Sequence, residues 1–181
     1  MCTLIRTEGS NPSLSAKFDW LWEYYGMIEE LIHRRATIND LRTIVNLLLE
    51  DELSQTREST KPELEQRYID AFRRIDTNSN QYLMVVENGS EIVGTCHLTI
   101  MPSLTFTGQT RMQIEAVRVL EKYRGQKIGQ WMIQQAIQYG ITNGATIIQL
   151  TTNKKRTAAK AFYEKLGFEA NHEGMKIYLV L

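Results

Sequence analysis

The stretch 123-YRGQKIGQ-130 holds the densest set of residues that could do chemistry. Gly125 and Gly129 sit four apart, Arg124 precedes the first glycine, Lys127 stands between the two, and Lys122 lies just upstream. An apolar, strand-like run comes before this stretch and a helical pattern follows it. The first amides of a helix have no intrahelical partner, and the helix dipole adds partial positive charge there. Glycines let such a backbone close around an anion, so the stretch can form a pyrophosphate cradle. Taken alone, the same spacing serves an ordinary turn equally well. It is not a P-loop, because GxxxxGK followed by Ser or Thr is absent, and the dinucleotide fingerprint GxGxxG is absent too. Other reactive side chains are sparse. Cys2 and Cys96 form neither a CxxC pair nor a disulfide framework, and His33, His97 and His172 lack metal-ligand spacing. The expectation is structural histidines and no metal.

A cradle needs a strand and a helix to hold it, and the patterning supplies both. The run 111-RMQIEAVRVL-120 reads as a strand. A helix follows from about Gly129 to Asn143, with Ile133, Ala136, Ile137, Gly140 and Ile141 as its inward stripe and Gly144 as its stop. Downstream, 146-TIIQLTT-152 is a strand and Ala158 to Leu166 a short helix closed by Gly167. Ala158, Ala161, Phe162 and Leu166 form that helix's inward stripe, with Tyr163 at its edge. Phe168 and 175-MKIYLVL-181 read as final strands.

Upstream, 31-LIHRRA-36 is a first strand. A helix capped by Asn39 or Asp40 runs through Leu53, with Leu41, Ile44, Val45, Leu48 and Leu49 on one face. After the loop 54–61, a second helix starts near Pro62 and runs to about Ile75. Asn88-Gly89 between the apolar runs 82–87 and 91–100 is a strong hairpin signal. Phe18, Leu21, Trp22, Tyr25, Ile28 and Ile32 follow helical spacing, so an appended aromatic helix precedes the first strand and could cover a sheet edge or join two subunits as a homodimer. The order predicts an α+β fold with a mixed sheet flanked by helices: residues 1–30 as an N-terminal extension and 31–181 as one domain.

Length and composition agree with a soluble globular chain. The 181 residues suit one domain, and 43% are hydrophobic and 23% charged. Twenty-one basic residues balance 21 acidic ones, which argues against a nucleic-acid binder. No run approaches a membrane span, and no signal peptide is seen, so a cytoplasmic location is the default expectation.

The stretches VRVLEKYRGQKIGQWMI (117–133) and AFYEKLGF (161–168) together resemble the GNAT superfamily of acyl-CoA-dependent N-acetyltransferases. The likeness covers about Ile32 to Leu181 in element order and is most specific from Ile114 to Phe168. The run 149-QLTTNKKRTAAKAFYEKLGF-168 is similar to small-molecule members, including aminoalkylphosphonate acetyltransferases. The family loop reads Gln/Arg-x-x-Gly-x-Gly/Ala, and here Lys127 replaces the usual middle glycine. An asparagine usual seven residues before the tyrosine is Arg156 here, while asparagine appears at Asn153.

The resemblance implies acetyl-CoA as acyl donor. Its pyrophosphate would lie on Arg124, Gly125, Gln126, Lys127, Ile128, Gly129 and Gln130, and its pantetheine arm along Val117, Arg118 and Val119. Asn153, Ala159 and Phe162 are further expected contacts. The family pattern places the Tyr163 hydroxyl beside the thioester sulfur as proton donor, where the plain alternative is a buried tyrosine with a satisfied hydroxyl. Glu115 is the candidate base for the amine, or else a glutamate paired with Arg111, with His97 and His172 in reserve. No serine or cysteine nucleophile motif is present, which fits direct transfer in a ternary complex. A small-molecule primary amine is the expected acceptor. A non-catalytic acyl-CoA-binding domain and a protein N-acetyltransferase are the alternatives.

Overall fold

Five strands in one sheet order the chain, in a computed structural model that describes residues 31–50 and 65–179. The expected aromatic helix at 18–32, the loop at 54–61 and the helix start at Pro62 lie wholly or largely outside the described residues. Strand β1 is Leu31–Arg35, and a single 3-10 turn, Ile38–Asp40, leads into helix α1, Leu41–Leu49. Helix α2 is Gln66–Asp76. Strands β2, Gln81–Asn88, and β3, Glu91–Met101, form the hairpin that Asn88-Gly89 predicts, with Gly89 at φ +60°. Strand β4 is Thr110–Val119, helix α3 is Ile128–Thr142, strand β5 is Ala145–Leu150 and helix α4 is Thr157–Lys165.

The sheet order is β1-β2-β3-β4-β5. Each of the first three pairings is antiparallel and β4 pairs with β5 in parallel, because α3 carries the chain back across the sheet. Helices cover both faces. On one, Ala36, Leu41, Ile44, Val45, Phe72, Leu83 and Val85 make a buried cluster beneath α1 and α2. On the other, Met132, Ile133 and Ala136 of α3 are fully buried, as are Met112, Leu98 and Met84 of the sheet. Gly140 lets α3 lie close to β4: a β-carbon there would stand 2.9 Å from Met112 Cε and 3.2 Å from Ile148 Cδ1.

Several expectations change in detail. Leu47 is buried on α1, whereas Leu48 and Leu49 are only partly so. Ile141 is exposed, because Gly140 is the residue of this turn that faces the sheet and the helical period carries the next position away from it. Ala158 and Ala161 are exposed on α4, while Ala159, Phe162 and Leu166 turn inward. The largest correction concerns the C-terminus: residues 168–179 form no strand. Met175, Ile177 and Leu179 alternate as a strand would, yet all three are exposed. Alternation specifies a two-faced segment but not the edge it pairs with. Here the segment is tied at its start to Tyr163, through the Phe168 ring and N–H, and further on by Lys154 Nζ to Glu173 Oε1 at 2.9 Å and by the approach of Gly174 to Thr151.

Candidate active site

The sheet opens at an irregularity in the second half of β4. Thr95 of β3 lies opposite Arg118 and His97 opposite Glu115, so Ala116 and Val117 together face Cys96 alone. This is a β-bulge, with Ala116 at φ +51°. Pairing with β5 ends at Ile114 opposite Leu150, one residue before Glu115. From there to Val119, β4 keeps β3 on one side and has no strand partner on its other side among the described residues. Main-chain groups on such an edge are available to an extended ligand. Val117, Arg118 and Val119 all lie on this segment, where Arg118 Nη1 donates to the Val117 carbonyl at 2.8 Å.

The strand runs directly into the glycine loop. A 3-10 turn, Glu121–Tyr123, is followed by Gly125 at φ +77° and Lys127 at φ +65°. The N–H of Trp131 donates to the Lys127 carbonyl at 3.1 Å, the first hydrogen bond of α3. The amides of Ile128, Gly129 and Gln130 therefore precede the helical ladder, at the positive end of its dipole. Lys127 occupies the conformation that glycine favours, so the backbone turns here despite the substitution. Two cations expected at the loop are engaged by carboxylates. Arg124 Nε donates to the Val119 carbonyl at 3.1 Å and its Nη2 meets Glu50 Oε2 at 3.3 Å, while Lys122 pairs with Glu91 at 2.8 Å. Glu50 also accepts the Glu121 N–H at 3.0 Å, and Tyr123 donates to Glu91 at 2.8 Å. Glu50 and Glu91 thus brace the loop, a role with no local sequence signature.

Helix α4 closes the third side. A β-carbon on Gly129 would lie 3.5 Å from Val119 Cγ2 and 3.6 Å from Phe162 Cζ, so strand end, loop and α4 meet at this glycine. Tyr163 packs edge-on against Phe162 and Phe168. Burial raises its phenol above the usual range, opposed by the positive charges of Arg118 and Arg156. Tyr163 is therefore protonated at neutral pH. Ala159 is half-buried on α4, and Asn153 lies outside, its Oδ1 accepting the Lys155 N–H at 2.9 Å within the turn before the helix. Cys96 is fully buried opposite the bulge, and burial pushes its thiol up to about 12, which removes it as a thiolate nucleophile.

Glu115 is exposed on β4 just before the bulge, on the sheet face away from α3. Across from it, burial lowers the His97 pKa, the Glu115 charge opposing the shift, and His97 Nε2 is 2.8 Å from Gln81 Oε1. Arg111 and Gln113 occupy the same face by the strand's two-residue period. Gln149 of β5 donates to Gln113 Oε1 at 2.9 Å. Arg111 forms no ion pair with Glu115. His172 lies far along the chain from this group and is exposed beside Asn171. Among the described residues, no group of three or more His, Cys, Asp or Glu could hold a metal, and no helix is long and apolar enough to cross a membrane.

The family model described as Acetyltransferase (GNAT) family matches residues 42–168. An aminoalkylphosphonate N-acetyltransferase of Salmonella typhimurium is 31% identical over 142 residues, covering 77% of this chain and 85% of that protein. A glucosamine 6-phosphate N-acetyltransferase of Trypanosoma brucei brucei is 34% identical over 88 residues, 49% of this chain, and the chain spans only 58% of that relative. A solved structure described as a transcriptional regulator from Bacillus halodurans C-125 superposes with a TM-score of 0.80 at 42% identity, covering 82% of this chain and 99% of that one.

Proposed function

The chain belongs to the GNAT family of acetyltransferases, and from that premise we propose that it moves an acetyl group from acetyl-CoA directly to the primary amine of a small molecule, within a ternary complex. The observation that carries this reading is the bulge at Ala116, because it frees the β4 edge that leads without a break into the uncommitted amides of α3. Those amides hold the pyrophosphate, and the main chain of Val117 to Val119 holds the pantetheine arm. The thioester then lies between Tyr163 and the sheet face that bears Glu115. The donor supplies an activated acyl group, and the chain supplies position, charge and protons.

An amine with a pKa near ~10 is mostly protonated at pH 7, so it must lose a proton before it attacks. Glu115 takes that proton, directly or through water. A backbone amide on Val117 to Val119 stabilises the negative charge that develops on the carbonyl oxygen. Tyr163, kept protonated by burial, donates its proton to the departing sulfur. Direct attack is favoured over an acyl-enzyme because Cys96, next to the bulge, is held as a thiol. The two relatives are named for small amine substrates, and that favours a small acceptor over a protein.

Release of free thiol from acetyl-CoA across a panel of small amines and peptides tests the proposal. Turnover on small amines is expected. Tight CoA binding with no turnover on any acceptor would instead identify a non-catalytic acyl-CoA sensor, and turnover on peptides alone a protein acetyltransferase.

A further inference from the structure

The face of β4 that carries Glu115 also carries a cation whose side chain has no partner among the described residues. The Arg111 guanidinium makes no hydrogen bond or ion pair with any described residue, and its Nε is buried without a hydrogen-bond acceptor. The other arginines of the sheet differ in having side-chain partners: Arg34 meets Asp40 and Glu87, Arg35 meets Asp76, and Arg118, though its Nε is likewise buried without an acceptor, donates through Nη1 to the Val117 carbonyl. A buried donor left unmade is costly, and such groups usually have a partner. Glu115 is four residues away, about 13 Å along a strand that rises ~3.3 Å per residue. Between them lies Gln113, tied to Gln149 at 2.9 Å, which gives the interval a neutral polar floor.

We propose that Arg111 is the anion anchor of the acceptor site, so that the acceptor is a small amine carrying an oxyanionic group a few bonds from its nitrogen. A guanidinium presents a planar fork of donors that matches the two oxygens of a phosphonate, phosphate or carboxylate. With the anion on that fork, the amine end points along β4 towards Glu115 and the bulge. The charge pattern of the face then reads cation, neutral amides, carboxylate, complementary to anion, short spacer, ammonium. This inference rests on the acetyltransferase reading for the direction of the amine, while the anion contact itself stands on Arg111 alone.

The test measures binding and turnover separately, on the full chain saturated with CoA or acetyl-CoA. Titrations use 2-aminoethylphosphonate, β-alanine and n-propylamine, which share an amine and differ in the tail. The wild type is expected to bind at least one of the two anionic amines ten- to a hundredfold more tightly than propylamine, as a charge-assisted fork warrants. Arg111→Gln removes most of that preference and leaves propylamine binding unchanged. Arg111→Lys, which keeps charge but loses the fork, retains part of it and serves if the glutamine variant does not fold. A wild type that does not prefer either anion, or an Arg111→Gln protein that keeps the preference within twofold, overturns the proposal. If the anionic preference depends on Arg111 but no amine releases thiol, the anchor stands and the acetyltransferase reading falls.

Discussion

The β1–β2 flank of the sheet and the β4–β5 flank are held by different physics. On the first, α1 and α2 press Leu41, Ile44, Val45 and Phe72 onto Leu83 and Val85, all buried. Its rim is pinned by Arg34, which donates to both carboxylate oxygens of Asp40 at 2.6 and 3.0 Å and to Glu87 at 2.6 Å. On the second, pairing stops at Ile114, a bulge follows at once, and α4 contains no fully buried residue. The packed flank holds stability, and the open flank exposes main chain. Mutations on the two sides should therefore be read by different instruments: unfolding midpoint on one, kinetics and ligand affinity on the other.

The sharpest challenge to this division is Tyr163→Phe, which removes one oxygen and leaves the aromatic packing against Phe162 and Phe168 in place. The turnover number is expected to fall about a hundredfold or more, the usual worth of a positioned acid. Acetyl-CoA affinity and unfolding midpoint should stay within error. Unchanged turnover would remove Tyr163 as the proton donor. A large loss of stability would instead make it a packing residue and erase the contrast between the flanks.

Next in size is Asp40→Asn, on the packed flank. The Arg34 guanidinium holds the Asp40 carboxyl down to about 2, and hydrogen bonds from Thr37 add to this. Arg34 is 37% exposed at its side chain, so solvent discounts the pair. The expected cost is about 2 kcal/mol by urea unfolding, with CoA affinity unchanged. Coupled loss of affinity would show that the flanks are one mechanical unit.

The same flank makes a statement about pH. Because the folded pKa of Asp40 is below its ordinary value, its contribution is complete above about pH 4 and is lost as pH falls towards 2. His33 and His97 act earlier. Burial lowers both, so the unfolded chain takes up protons at these positions before the folded chain does, and stability declines as pH drops below about 6.5. Urea midpoints measured from pH 7 to pH 5 should fall, and His97→Gln should flatten the slope. A flat wild-type profile would contradict the burial of both rings.

Much of the fold was legible because its signals are local. Asn88-Gly89 marked the hairpin, the stripe on α3 marked its inward face, and two distant segments identified the family. What stayed hidden is relational. The bulge at Ala116 depends on how β4 registers against Cys96, and no residue type announces it. Glu50 reaches the loop from a helix 71 residues earlier in the chain. The C-terminal run 175-MKIYLVL-181 has a strand's alternation, yet residues 168–179 pair with no strand among the described residues, since alternation does not name a partner. A role carried by main chain is the easiest kind to read from sequence, because position in an element is enough to locate the residue.

Lys127 gives the finest test, since it separates backbone shape from charge within one residue. Its φ of +65° costs a side-chain-bearing residue about 1 kcal/mol relative to glycine. Lys127→Gly relieves this, while the added freedom of glycine in the unfolded chain takes back part of the gain, leaving an increase of roughly 0.5 kcal/mol. If amides hold the pyrophosphate, the same variant should change CoA affinity less than about threefold, an exposed charge being worth under ~1 kcal/mol. Lys127→Gln keeps the strained backbone and removes the charge, so it isolates the second effect. CoA titration of the pair decides between the two contributions. Should both variants weaken CoA by tenfold or more, the ammonium itself grips the anion, and the open flank binds by side-chain charge and not by the main chain that the bulge and the loop expose.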